Sequence, residues 1–233
     1  MTERFIITID GLAATGKSSI AKALAEKTGF YLLPSGAIYR ALAWLAVENG
    51  VALDDEQALV ELLSTHSIKI SDAKQGQVQI DGQQVDELLR TPQISEATSR
   101  ISVLALVREA LIPLQQEAFE GKPLIAEGRD MGTVVFPEAH LKFFIEVDED
   151  LRLERRFEQL KAKLEDPSAE QLKELHEQMK KEVAERDARD SSRQCSPTVP
   201  ARDAIIVDNS SETLTKTINW IYAHIPSRST KAN

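Results

Sequence analysis

The sequence predicts an α/β fold built on a parallel sheet, and three observations carry that reading. Residues 5–9 form an apolar, β-branched run too short for a helix and closed by Asp10-Gly11, which reads as a buried strand. Residues 17–28 then carry helical spacing, with Ile20, Ala23 and Leu24 on one side and Gly29 as the stop, before a second apolar run, FYLL, at 30–33. Strand, Gly-rich turn, helix, strand is the unit from which parallel sheets with helices on both faces are made. Three further runs of the same buried character, LIAE at 124–127, KFFIEV at 142–147 and AIIVD at 204–208, bring the sheet to five strands.

Between the second and third strands lie about ninety residues, far more than one crossover needs, so a substantial insertion is expected there. It reads as a helix at 37–48 ended by Asn49-Gly50, a helix from Asp54 to about Leu63, and short strands at 68–71 and 77–80, the latter followed by an Asp81-Gly82 hairpin turn. A long helix starts at Thr91-Pro92, an N-cap and first-turn pair, and Pro113 is expected to kink or break it. Residues 149–193 are highly charged, helical in composition and poor in large apolar side chains, which predicts an exposed helical excursion. One domain is expected, with its core at about 1–36, 121–148 and 199–226 and the insertion at about 37–120. The excursion takes up about 149–198.

The composition is that of an ordinary globular chain: 42% of the 233 residues are hydrophobic and 28% charged. The start, MTERFIITID, has neither the basic head nor the apolar length of a signal peptide or membrane anchor, so a cytoplasmic protein is expected. A single cysteine, Cys195, excludes an internal disulfide and a thiolate metal cluster. A formal net charge of −9 argues against a nucleic-acid or membrane-surface footprint, which needs basic faces, but leaves room for local pockets that take small anions.

One such pocket is written into residues 11–18, GLAATGKS, which match G-x-x-x-x-G-K-[ST] directly after a strand and at the opening of a helix. The glycines let the backbone curl so that successive N–H groups point inward, where the helix N-terminus adds positive potential. Lys17 would reach the β- and γ-phosphates of a nucleotide, and the Ser18 hydroxyl would complete the coordination of Mg²⁺. Gly11, Leu12, Ala13, Ala14, Thr15, Gly16 and Ser19 complete the expected nucleotide-phosphate-binding set, and a P-loop NTPase fold is expected.

The cradle leaves the phosphoryl acceptor open. Neither the N-K-x-D nor the D-x-x-G string of a GTPase occurs. A kinase acting on a hydroxyl wants a carboxylate to take its proton, whereas a monophosphate is already largely a dianion at pH 7 and needs cations around it instead. The cations are present outside the cradle. Arg40 and Arg129 follow strand ends, where ligands bind in open sheets, and Arg108 lies on the long helix. Arg152, Arg155 and Arg156 fall within one helical turn, and Arg186, Arg189 and Arg193, in ERDARDSSR, share one helix face. Arginine suits phosphate through its two-pronged, permanently charged fork. Asp187, between them, is a candidate to brace one of these arginines. A kinase for UMP or a sugar, or a regulatory protein that hydrolyses ATP slowly, stays open on these residues alone.

At IDGLAATGKSS (9–19), SGAIYRA (35–41), RTPQISEATSRIS (90–102), VREAL (107–111), GRDMGTVVFPEA (128–139), RDARDSSR (186–193) and DAIIVD (203–208) the chain resembles the bacterial-type cytidylate kinases, a branch of the nucleoside monophosphate kinases. The strings run in that family's order across nearly the whole chain. The resemblance implies a five-stranded core, an enlarged monophosphate-binding insertion and a mobile lid over 149–198. It implies transfer of a phosphoryl group from ATP to CMP or dCMP with Mg²⁺, by a monomer that binds neither nucleic acid nor membrane. Carried over residue by residue, Ser35, Tyr39, Arg40, Ser99, Arg108, Arg129 and Asp130 would hold the pyrimidine nucleotide. Asp130 would accept from the cytosine 4-amino group, and Arg186 and Asp190 would lie near the sugar. Lys17, Arg129, Arg155, Arg156 and Arg193 would surround the transferred phosphate, with Arg193 also touching the acceptor.

Two positions depart from the family pattern. Pro34 stands where an Asp usually precedes SGAIYR, and Glu127 where Asp usually precedes GRD. The first removes a carboxylate near the substrate phosphate or Mg²⁺, and neither falls on a residue read as essential. The cradle interior, LAAT, also lacks the commoner Gly and Ser. His66, His140, His176 and His224 show no metal-ligand spacing, and Trp44 and Trp220 read as core residues on apolar helix faces.

Overall fold

In a computed structural model that describes residues 4–72, 75–162, 164, 167–191 and 196–226, the first strand, β1 (Ile6–Gly11), lies at the centre of a five-stranded sheet. The other strands are β2 (Tyr31–Pro34), β6 (Leu124–Glu127), β7 (Leu141–Glu146) and β8 (Ile205–Asp208), in the spatial order β2-β6-β1-β7-β8 and all parallel. Because the strands run the same way, Gly11, Pro34, Glu127, Glu146 and Asp208 all reach one edge of the sheet, the edge at which open α/β sheets bind ligands.

Alternation along the strands divides the core between two faces. Ile7, Ile9, Leu32, Ile125, Phe143 and Ile145 pack beneath α1 (Lys17–Thr28) and α8 (Leu214–Ala223), through Ile20, Leu24 and Ile221. Leu33, Leu124 and Ala126 face the other way, onto α2 (Ser35–Glu48) and the insertion. Thr8 and Asp10, one residue out of phase with Ile7 and Ile9, are therefore buried polar groups.

The insertion continues with α3 (Glu56–Thr65), a small antiparallel sheet of β3 (Ile68–Ile70), β4 (Val78–Ile80) and β5 (Gln83–Gln84), then α4 (Pro92–Ile101) and α5 (Ala105–Glu117). Thr91 caps α4 at Ile94 N with Pro92 in the first turn, as the sequence predicts, and α3, expected from Asp54, begins at Glu56 with Asp55 capping it at Ala58 N. Asp81 and Gly82 make the β4–β5 turn with both residues at positive φ. The α2 helix begins two residues earlier than expected, at Ser35.

The long helix is interrupted, but not where Pro113 predicted. Helix α5 runs through Pro113, and the break lies at Ser102–Leu104. There the Arg108 guanidinium donates to the Ser102 carbonyl at 2.8 Å, and the Glu56 carboxylate accepts from Leu106 N at 2.6 Å. These side chains satisfy backbone groups that a continuous helix would have paired.

The charged excursion forms α6 (Glu149–Lys161) and α7 (Ala169–Ser191), which pack on one another. In α6 the one fully buried side chain is Arg152. Among the described residues no helix is long and apolar enough to cross a membrane. Trp44 packs against the larger core as expected, whereas Trp220 is 45% exposed on α8, stacked on His224, and is a surface residue. Cys195 lies outside the described residues.

Candidate active site

Residues 11–16 turn from β1 into α1 with Ala14 and Gly16 in the left-handed region, at φ 60° and 86°. Gly11 lies against β7, where a Cβ would come within 2.4 Å of the Ile145 carbonyl oxygen. Gly16 is the N-cap of α1 and supplies no side-chain cap, so no capping side chain takes the N–H groups of the first turn. Asn209, just past β8, holds the turn from behind: its amide donates to Thr15 O at 3.0 Å and its own oxygen accepts from the Thr217 hydroxyl at 2.8 Å. Ser18 and Ser19 stand exposed at the opening.

Lys17 is 5% exposed; its ammonium donates to Leu12 O at 2.9 Å and lies 3.8 Å from the Glu127 carboxylate. Burial, followed by the field of Arg129, pushes the amine down to about 7, against the pull of Glu127. Such a group gains strongly from an added anion.

Three other segments bring cations to the same mouth. Ser35 and Arg40 come from α2, Arg129 from the turn after β6, and Arg186 from α7. Burial, then the charge of Arg129, lowers Arg186 to about 10, with Arg40 and Arg156 adding to the repulsion and Asp190 opposing it. Arg40 is likewise lowered by burial, with Arg90 and Arg129 pushing the same way and Glu127 the other. The Arg129 Nε donates to Asp190 at 3.0 Å. Arg155 donates to Asn209 O at 2.8 Å, which places α6 beside the back of the cradle. Arg193 lies outside the described residues.

A second, drier cluster sits beyond Arg129. Asp130, 3% exposed, pairs with the Arg108 guanidinium, which also lies over the Tyr39 ring at 5.6 Å. Ser99 is buried close by in the chain of contacts, its carbonyl accepting from Ser102, and its hydroxyl is buried with no hydrogen-bond partner. An orphaned buried hydroxyl is uncommon and marks a place where a polar ligand edge would fit. The structure thus brings Ser35, Arg40, Arg129, Arg186 and Asp190 together beside the cradle, with Tyr39, Ser99, Arg108 and Asp130 behind them.

The sequence model of the cytidylate kinase family matches residues 7–227. The chain belongs to the cytidylate kinase family. Among its relatives, the cytidylate kinase of Aeromonas hydrophila subsp. hydrophila is 40% identical over 220 residues, covering 94% of this chain and 93% of that protein. The cytidylate kinase of Pasteurella multocida is 39% identical over 231 residues, covering 97% and 98%. That of Actinobacillus succinogenes is 41% identical over 232 residues, covering 96% and 99%.

Within this cytidylate kinase framework, four residues of the site have roles that sequence reasoning does not give them. Glu127, a departure from the family pattern, is 7% exposed and is the carboxylate that faces Lys17; its strand partner on β2 is Pro34. Arg152 donates to the cradle carbonyl of Ala13 at 3.4 Å and to Asp187 at 2.6 Å, so Asp187 does brace an arginine. Asn209 and Asp10 are the others. Position at a strand end was the one available signal for Asp10, Glu127 and Asn209; their partners are more than a hundred residues away.

Proposed function

We propose that this protein transfers the γ-phosphoryl group of ATP to CMP or dCMP, giving ADP and CDP or dCDP, as a cytoplasmic monomer. The observation that carries the reading is the convergence of Arg40, Arg129 and Arg186, from three separate segments, beside Lys17 at the mouth of the cradle. Cations that repel one another this closely suit two polyanions held face to face.

In this reading residues 11–19 hold the ATP phosphates, and Lys17 regains its proton against them. Among the described residues no three acidic or histidine side chains form a metal cage, so Mg²⁺ would arrive with the triphosphate, held on the protein side by Ser18. When bound, the ion offsets charge on the β- and γ-oxygens. Arg40 and Arg129 hold the acceptor phosphate in line, already a dianion and in need of no general base. Ser35, Tyr39, Ser99, Arg108 and Asp130 face the base, with Asp130 accepting from the 4-amino group that uracil lacks. Residues 149–198 form a lid over a core at 1–36, 121–148 and 199–226, with the monophosphate held by the insertion at 37–120. The lid brings Arg155, Arg156, Arg186, Asp190 and Arg193 over both nucleotides.

A coupled ADP-release assay with CMP, dCMP, UMP, AMP and no acceptor tests this. Turnover should appear with CMP and dCMP and fall by tenfold or more with UMP, on the order of what one missing buried hydrogen bond costs. Equal rates with and without CMP would overturn the assignment.

A further inference from the structure

We propose that Asp10 is a positioning residue: its carboxylate seats the turn after Asp130 and so fixes the acceptor-side loop relative to the phosphate cradle. Asp10 is the penultimate residue of β1, immediately before the cradle, and its side chain points to the face opposite the one covered by α1. One carboxylate oxygen accepts from Met131 N at 2.9 Å and the other from Gly132 N at 2.8 Å. These amides open a single wide turn, Met131–Val135, in which Val135 N and Phe136 N reach back five residues to Asp130 O and Met131 O. Such turns are rare and concentrate at functional sites.

The other end of the same loop is tied to β1 as well, since Gly128 N donates to Ile9 O at 3.1 Å. Arg129 and Asp130 therefore hang on a short span between two anchors on consecutive residues of one strand, and that strand runs straight into Gly11. The seat is tight. A Cβ on Gly132 would lie 2.8 Å from Thr8 Oγ1, 3.2 Å from the flexible Lys142 chain at Cδ and 3.4 Å from an Asp10 oxygen. The Thr8 hydroxyl is buried without a partner, so it fills space there and tethers nothing. Burial raises the Asp10 carboxyl to about 7 against the pull of the two amides, so the seat is held at an electrostatic cost that packing alone would not require.

The inference rests on the reading that Arg129 and Asp130 hold the acceptor, and its test separates the two. Asp10→Asn keeps the shape but turns an NH₂ toward an N–H donor, so one of the two bonds is lost. The expected result is a drop of about 100-fold in kcat, the scale set by misplacing a reacting group by about 1 Å. ATP affinity, measured by calorimetry, should stay within about threefold, because no ATP contact is touched. Faster amide exchange at Met131 and Gly132 should accompany it. Gly132→Ala should reproduce the loss, and Thr8→Ala in the same chain should restore much of the turnover by removing the closest overlap, the Lys142 chain being flexible enough to shift. That pair decides the matter if Asp10→Asn fails to fold. A kcat within threefold of wild type in Asp10→Asn, an equal loss of ATP binding, or no rescue by Thr8→Ala would overturn the proposal. If wild type does not phosphorylate CMP, the functional reading fails, and exchange at Met131 and Gly132 still decides whether Asp10 holds the turn.

Discussion

The two sides of the candidate site are held by different physics. The cradle is backbone: a curled segment pinned between β1, β7 and Asn209 over a face of fully buried Ile7, Ile9, Ile20 and Phe143. The α6–α7 pair is bonded to the rest of the molecule through charged side chains. Its buried members are Met179 and Val183 together with Arg152 and Asp190; Arg152 to Asp187 ties the two helices to each other, and the pair reaches the core through Arg152 to Ala13, Arg129 to Asp190, and Arg155 to Asn209. Dense apolar packing gives one arrangement, whereas ion pairs can be exchanged for other anions without disturbing it. A phosphate that enters between these arginines competes with Asp190 and Asp187, not with a core.

The sharpest break in that contrast comes from the cradle itself. Lys17→Ala should lower kcat by about 10³-fold, the upper range for losing one preorganised cation, with the melting midpoint unchanged or raised, because a buried charge is removed. Next, Arg129→Ala should lower turnover about 100-fold while the ATP dissociation constant moves little; a loss confined to ATP binding would contradict its place on the acceptor side. Asp187→Ala should act on the other side only: a few-fold rise in KM for ATP and faster proteolysis within 169–191, from a site whose remaining partner is the buried Arg152.

A fourth measurement does not alter the rate. With the Lys17 amine at about 7 in the folded protein and 10.5 as its ordinary value, the folded state carries a penalty at low pH that fades as pH rises from about 7 toward 10.5. Polyphosphate restores the charge, so ATP binding at pH 8 should take up about one proton and at pH 6 much less, read by calorimetry in buffers of different ionisation enthalpy. Uptake that persists in Lys17→Ala would assign the proton elsewhere. Smallest of all, Trp220→Ser should change stability by about 0.5 kcal/mol, since the ring stands at the surface.

The local parts of this fold were legible in the sequence because local chemistry dictates them. Five apolar runs became the five strands, Thr91-Pro92 began a helix, and Asp81-Gly82 turned a hairpin. The helix break at Ser102–Leu104 was not, because what satisfies it is Arg108 and the distant Glu56. Trp220 was misread for the related reason that the apolar face of α8 turned away from it, toward Ile221. The cradle was legible as a contiguous string. The roles of Asp10, Glu127 and Arg152 were not, since each depends on a partner that only the folded topology brings near.

The strand order has a consequence for how the chain assembles. The central strand β1 pairs with β6 and β7, Ile6 with Leu124 and Ile7 with Leu141, and never with the strand next in sequence. On a ribosome, therefore, the first 140 or so residues emerge before β1 has both neighbours, while α2 through α5 can already close on contacts within their own span. The turn at 11–16, near the start of the sequence, therefore lacks the β7 wall against which Gly11 lies until more than half of the chain has been made.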